Sequence, residues 1–272
     1  MSQTSLHPLD RATALSHNSD GSLTGRTDSA YAHAVGPFGG ITAATLLNAA
    51  LSHPARVGDP VALTINYAGP IADGAFTLEA VPVRTNRSTQ HWSITLSQGG
   101  EIATTATAVF AVRRDSWSST EVVAPEVPPA TALRRVPTGG MSTWTNNYDV
   151  RFVQGGLPDV TQRDVKPGSL SIQWIRDDPP RPMDFLSLAS ICDSFFPRIF
   201  LRSQKPVPAG TVSLTTYFHA DTSILAAQAE RYVLGVARAA HFGLGYHDQS
   251  AEIWSDDGVL LATSHQMVYF KG

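Results

Sequence analysis

One carboxylate in this sequence stands where a carboxylate is costly. Asp193 falls within FLSLASICDSFFP, where helical spacing puts it on one face with Leu186, Ala189 and Phe196 and crowds it with Ile191, Cys192 and Phe195. A charge in such surroundings must find hydrogen-bond donors or have its pKa raised toward the range of a general base. The competing reading is structural: a capping or core aspartate satisfied by backbone near the helix end before Pro197.

Other chemistries have weaker footholds. Cys192 is the only cysteine, so no intrachain disulfide can form, and with no basic partner beside it, it reads as core packing rather than a nucleophile. The histidines, among them His33, His91, His219, His241, His247 and His265, are scattered without HExxH or other ligand spacing, so no metal site is expected. Alternation puts His265 on the opposite sheet face from Gln266, at the surface. No G-x-S-x-G elbow occurs, and the GLG at Gly243 to Gly245 completes no dinucleotide fingerprint.

The elements that must position Asp193 follow one order twice. Each half has a short opening strand region, one apolar helix and several strands rich in Val, Ile, Thr and aromatics. The helices are GGITAATLLNAALSHP, closed by Pro54, and RPMDFLSLASICDSFFP, closed by Pro197. VALTINYAGP and TVSLTTYFHAD follow them, and HWSITLSQGGEIATTATAVFAV matches SAEIWSDDGVLLATSHQMVYF at a shared turn. That alignment sets Ala103-Thr104 on Ala262-Thr263, Tyr67 on Tyr217, Asn48 on Asp193 and Thr107 on Gln266. Between the halves, WSSTEVVAPEVPPATALRRVPTGG reads as a Pro-rich linker. The expected organisation is residues 1–115 as one module, 116–140 as linker and 141–272 as a second module. The expected class is α+β, a double hot-dog in which each antiparallel sheet wraps round one helix and the two sheets pair edge to edge.

The segments ASICDSFFP, GTVSLTTYFH, GVLLATSHQMVYF and PFGGITAATLLNAA resemble those of the acyl-CoA thioesterase II family, over nearly the whole chain after about residue 30. The resemblance is weakest over residues 115–170. It implies a catalytic set of Asp193, Thr211 and Gln266, the threonine heading the aromatic strand and the glutamine lying downstream of the Asp-Gly-Val turn. Asp193 would act as general base while Thr211 and Gln266 orient the water. Gly39 and Gly40, opening the first helix, are candidates for backbone N–H groups facing the oxyanion; the alternative is a plain helix entry turn. With Asn48 and Thr107 in the first half, one site per chain is expected.

The functional expectation is hydrolysis of an acyl-CoA to free acid and CoA, with no metal and no cofactor. The alternatives are a hot-dog enoyl-CoA hydratase, which would need an Asp/His pair, and a non-catalytic acyl-binding protein. A formal net charge of -3 with no basic run argues against nucleic-acid binding. No signal-type N-terminus and no membrane-length apolar stretch are evident, so a soluble cytoplasmic protein is expected. Exposed sheet edges and outer faces point to a homo-oligomer.

Overall fold

The computed structural model describes residues 6–138, 142–157, 168–203 and 206–271. In the first half, α1 (Pro8–Ala12), β1 (Ser16–His17) and β2 (Leu23–Arg26) lead into the central helix α2 (Gly39–Leu51). β3 (Asp59–Tyr67), β4 (Ala75–Thr85), β5 (Thr89–Gln98) and β6 (Glu101–Ala111) follow it. The second half runs β7 (Tyr148–Gln154), β8 (Ser171–Asp177), α3 (Phe185–Ile191), α4 (Ile199–Ser203) and β9 (Ala209–Phe218). It closes with α5 (Thr222–Gln228), β10 (Val233–Arg238), β11 (Phe242–Gly243), β12 (Tyr246–Trp254) and β13 (Leu260–Phe270).

The strands form one antiparallel sheet in the order β1-β2-β4-β5-β6-β3-β9-β13-β12-β10-β8-β7, with β11 beside β12. Each half is a hot-dog module, and the class is an α+β double hot-dog. β3 and β9 pair at the centre and join the two sheets into one surface. α2 is apolar on nearly every face because the sheet covers one side and α3 the other; Leu46 and Leu47 are fully buried. Cutting either leucine back to alanine is expected to cost about 2–5 kcal/mol. Among the described residues no helix is long and apolar enough to cross a membrane.

The repeat is real, but its register differs by one residue from the sequence alignment. Thr64 lies opposite Thr215 across β3 and β9, and their hydroxyls bond at 3.1 Å, which marks the pseudo-twofold centre. Inward-facing Leu63 on β3 then corresponds to Leu214 on β9. Leu63 pairs with Ala108 and Leu214 with Gln266, so Ala108 is the counterpart of Gln266. Thr107 is exposed and corresponds to exposed His265; Tyr67 corresponds to Phe218, not Tyr217. A slip of one residue turns a strand over, so burial decides the matter against chemical likeness. Both central strands also carry an extra residue at the same point, Val61 in β3 and Val212 in β9, and beyond these bulges Pro60 is the counterpart of Thr211.

Residues 112–129 form no helix or strand. They are not a free tether: Ala124, Val127, Ala130 and Leu133 pack with Trp174, Leu234 and Trp254 on the outer face of the second sheet, where Trp174 Nε1 donates to Pro128 O at 2.9 Å. The expected end of the linker, at residues 139–141, lies outside the described residues.

Candidate active site

Asp193 is not in the helix, which corrects the helical reading. α3 ends at Ile191, where the hydrogen bonds tighten to three-residue spacing: Asp193 N donates to Ser190 O at 3.2 Å and Ser194 N to Ile191 O at 2.9 Å. Ser194 Oγ also takes the Ile191 carbonyl, at 2.7 Å. The turn that results aims the Asp193 side chain across the module boundary, at the start of α2. It remains partly accessible.

The start of α2 is built to receive it. Phe38, the residue before the helix, supplies no side-chain cap, so the first N–H groups of α2 have no partner from their own segment. The N–H of Gly40 lies near enough to the Asp193 carboxylate to favour its charged form. Close approach requires glycine at both positions. A Cβ on Gly39 would lie 2.6 Å from Asp193 Oδ2, and one on Gly40 would lie 2.5 Å from the carbonyl of Ser190. Tyr67 Oη donates to Gly39 O at 2.9 Å and pins this entry. Burial and the Asp193 charge push the Tyr67 hydroxyl well up, so it stays a donor. Nothing local in the sequence around Tyr67 marks that role, since the contact spans 28 residues.

Thr211 and Gln266 complete a continuous chain. Thr211 Oγ1 donates to Gln266 Oε1 at 3.1 Å, and Gln266 Nε2 donates to Asp193 Oδ1 at 2.9 Å. Gln266 Nε2 also faces the Cys192 carbonyl at 3.5 Å, so acceptors on that side fix which end of the amide is NH₂. Gln266 is 6% exposed. β9 and β13 hold the threonine and glutamine; the turn after α3 holds the aspartate. The structure thus brings Asp193, Thr211, Gln266, Gly39 and Gly40 into one place.

Desolvation pushes the Asp193 pKa up to about 7, against the Gln266 amide and the Gly40 N–H, which both pull it down. Such a carboxylate is poised to accept a proton near neutrality. Cys192 next to it is fully buried, and burial pushes its thiol up to about 12, which leaves it unreactive. Among the described residues no histidine bonds to Asp193, Thr211 or Gln266; His219 bonds to Thr263 at 3.0 Å and is exposed.

Residues 27–111 match the family model of the acyl-CoA thioesterase N-terminal domain, and residues 121–270 match that of the C-terminal domain. The chain belongs to the acyl-CoA thioesterase family. A conserved hot-dog protein of unknown function from Alicyclobacillus acidocaldarius is 49% identical, with 98% of this chain and 99% of that one covered at a TM-score of 0.93. An acyl-CoA thioesterase II from Mycobacterium marinum is 17% identical, with 97% and 98% covered at a TM-score of 0.76. The dehydratase domain of RzxB from Pseudomonas fluorescens shares the fold at 14% identity, with 98% and 99% covered at a TM-score of 0.60. No curated protein matches the chain. Family membership supplies the fold and the class of chemistry; the site must supply the reaction.

Proposed function

We propose that this protein hydrolyses acyl-CoA thioesters to the carboxylic acid and CoA, with a single site per chain made from both modules. The observation that carries this reading is the hydrogen-bonded run Thr211, Gln266, Asp193 ending at the N-terminus of α2. Asp193 takes a proton from a water held by Thr211 and Gln266, and the water oxygen attacks the thioester carbonyl carbon. The carbonyl oxygen becomes an oxyanion; as it collapses, the C–S bond breaks and the CoA sulfur leaves with the proton returned by Asp193, which restores the carboxylate. The backbone N–H groups of Gly39 and Gly40 at the head of α2 face that oxyanion, aided by the helix dipole. No covalent intermediate is needed.

Thiol release from acyl-CoAs of different chain length, followed on the wild type and on Asp193→Asn, tests the proposal. Wild-type turnover with the variant reduced by about 10²–10⁴-fold is the expected result. Absence of hydrolysis across the panel would overturn it, and hydration of crotonyl-CoA in its place would assign the site to the hydratase class.

A further inference from the structure

One strand beyond Gln266, the inner face of the second sheet becomes polar. Gln266 pairs with Gln249 on β12, and Gln249 is 2% exposed. Around it gather Arg198, Ser171 and His247, each 1% exposed or less, while Gln173 on β8 lies two strands away beside Gly235. Arg198 enters from the turn after Pro197. Its Nε donates to Gln249 Oε1 at 3.1 Å and to Phe196 O at 3.0 Å, and its Nη1 to Ser171 Oγ at 2.6 Å. Every acceptor is neutral. Among the described residues no carboxylate pairs with Arg198, and burial pulls its pKa down to about 9.

The neighbours of this cation hold unused hydrogen-bonding capacity. Nε2 of Gln249 and Nε2 of Gln173 are buried donors without an acceptor among the described residues, and His247 Nε2 is likewise unpaired. His247 Nδ1 donates to Asp248 O at 2.9 Å, and its ring lies against Phe242 and Phe270. A buried cation with only neutral acceptors among the described residues, beside an unfilled amide donor, is costly to maintain and is satisfied best by an anionic acceptor. A plain alkyl chain would leave the Gln249 amide donor unpaired and the cation without an anion. The first module has nothing like it: the register counterpart of Gln249 is Trp92, and that of His247 is Gln90. The side chain of Gln90 is bonded to Val57 N, Ala55 O, Thr85 Oγ1 and Trp92 Nε1.

We propose that Arg198 and Gln249 form a subsite for a carboxylate at the far end of the acyl group, so that the preferred substrates are short dicarboxylic acyl thioesters. The inference rests on the hydrolase reading for its placement of the thioester at Asp193. Neighbouring strands lie about 4.8 Å apart, so a group held by Gln249 on β12 sits roughly one strand spacing from Gln266 on β13, within reach of a short chain. Arg198 supplies charge, and the unpaired Nε2 of Gln249 supplies the donor that fixes the tail.

Binding to the hydrolysis-impaired Asp193→Asn protein tests this separately from turnover. Calorimetry with glutaryl-CoA and hexanoyl-CoA is expected to show glutaryl-CoA bound at least about 10-fold more tightly. Wild-type kcat/KM should favour glutaryl- and adipyl-CoA over hexanoyl- and heptanoyl-CoA by a similar or larger factor. Arg198→Met and Gln249→Leu should collapse that ratio toward unity; thermal melting identifies a variant that fails to fold, and Gln249→Leu keeps the test open if Arg198→Met does. Equal or weaker binding of glutaryl-CoA, or a preference unchanged in folded Gln249→Leu, would overturn the subsite and leave the hydrolase reading standing. Preferential glutaryl-CoA binding without any turnover would support the subsite and overturn the hydrolase reading.

Discussion

At matching positions of the two sheets, the first module carries Pro60, Ala108 and Trp92 where the second carries Thr211, Gln266 and Gln249. The first inner face is closed by packing, with Trp92 1% and Phe110 0% exposed and the one buried glutamine beside them, Gln90, fully bonded. The second face is lined by polar groups, several of them unpaired. In the duplicated fold one copy has a conventional core while the other lines its inner face with polar groups. The first copy is still part of the site, because it supplies the N-terminus of α2 and Tyr67, against which Asp193 is held.

Asp193→Asn should break the contrast most severely. The amide cannot take a proton, and kcat/KM is expected to fall about 10²–10⁴-fold with the melting temperature unchanged or higher, since the buried charge is removed. Gly39→Ala tests the first module's share. Its Cβ would press on Asp193 Oδ2 at 2.6 Å, and a displaced carboxylate is expected to lose on the order of 10²-fold in steady-state turnover. Thr211→Val removes one neutral hydrogen bond to Gln266, and kinetics should show a loss of about 10-fold.

Two changes in the first module should register in stability instead. Gln90→Leu strands the Val57 N–H, the Ala55 carbonyl and the Trp92 indole N–H, and chemical denaturation should show a loss on the order of 2 kcal/mol or more with turnover retained. Asn48→Ala removes only the bond from Nδ2 to Thr13 O at 2.9 Å. Its kcat/KM is expected to stay within about twofold of wild type, with a stability cost of about 1 kcal/mol. Complete loss of turnover in folded Asn48→Ala would show that Asn48 itself takes part in the chemistry.

The order of elements and the duplication were legible in the sequence, because a central helix apolar all round and strands of alternating burial leave distinct periodic patterns. Register was not. The likeness of Tyr67 to Tyr217 pulls the alignment one residue away from the pairing that burial and the bulges at Val61 and Val212 impose. Asp193 was legible as a carboxylate in apolar company. The turn that ends α3 was not, because the tightened bonds to Ser190 and Ile191 carry no sequence mark of their own. Contacts across the two modules, such as Gly40 with Asp193, depend on docking over some 150 residues of chain that no local pattern encodes. Arg198 escaped notice for a simpler reason: a lone arginine after a proline ordinarily reads as a solvated surface residue.

The pH dependence of kcat/KM tests the central claim most directly, because Asp193 must be ionised to accept a proton from water. With its pKa pushed up to about 7 by burial, wild-type activity on a hydrolysed acyl-CoA should fall about tenfold per pH unit below an inflection near 7. The residual activity of Asp193→Asn should lack that inflection. A wild-type profile flat between about pH 5 and pH 8, or an Asp193→Asn enzyme as fast as wild type, would contradict the account.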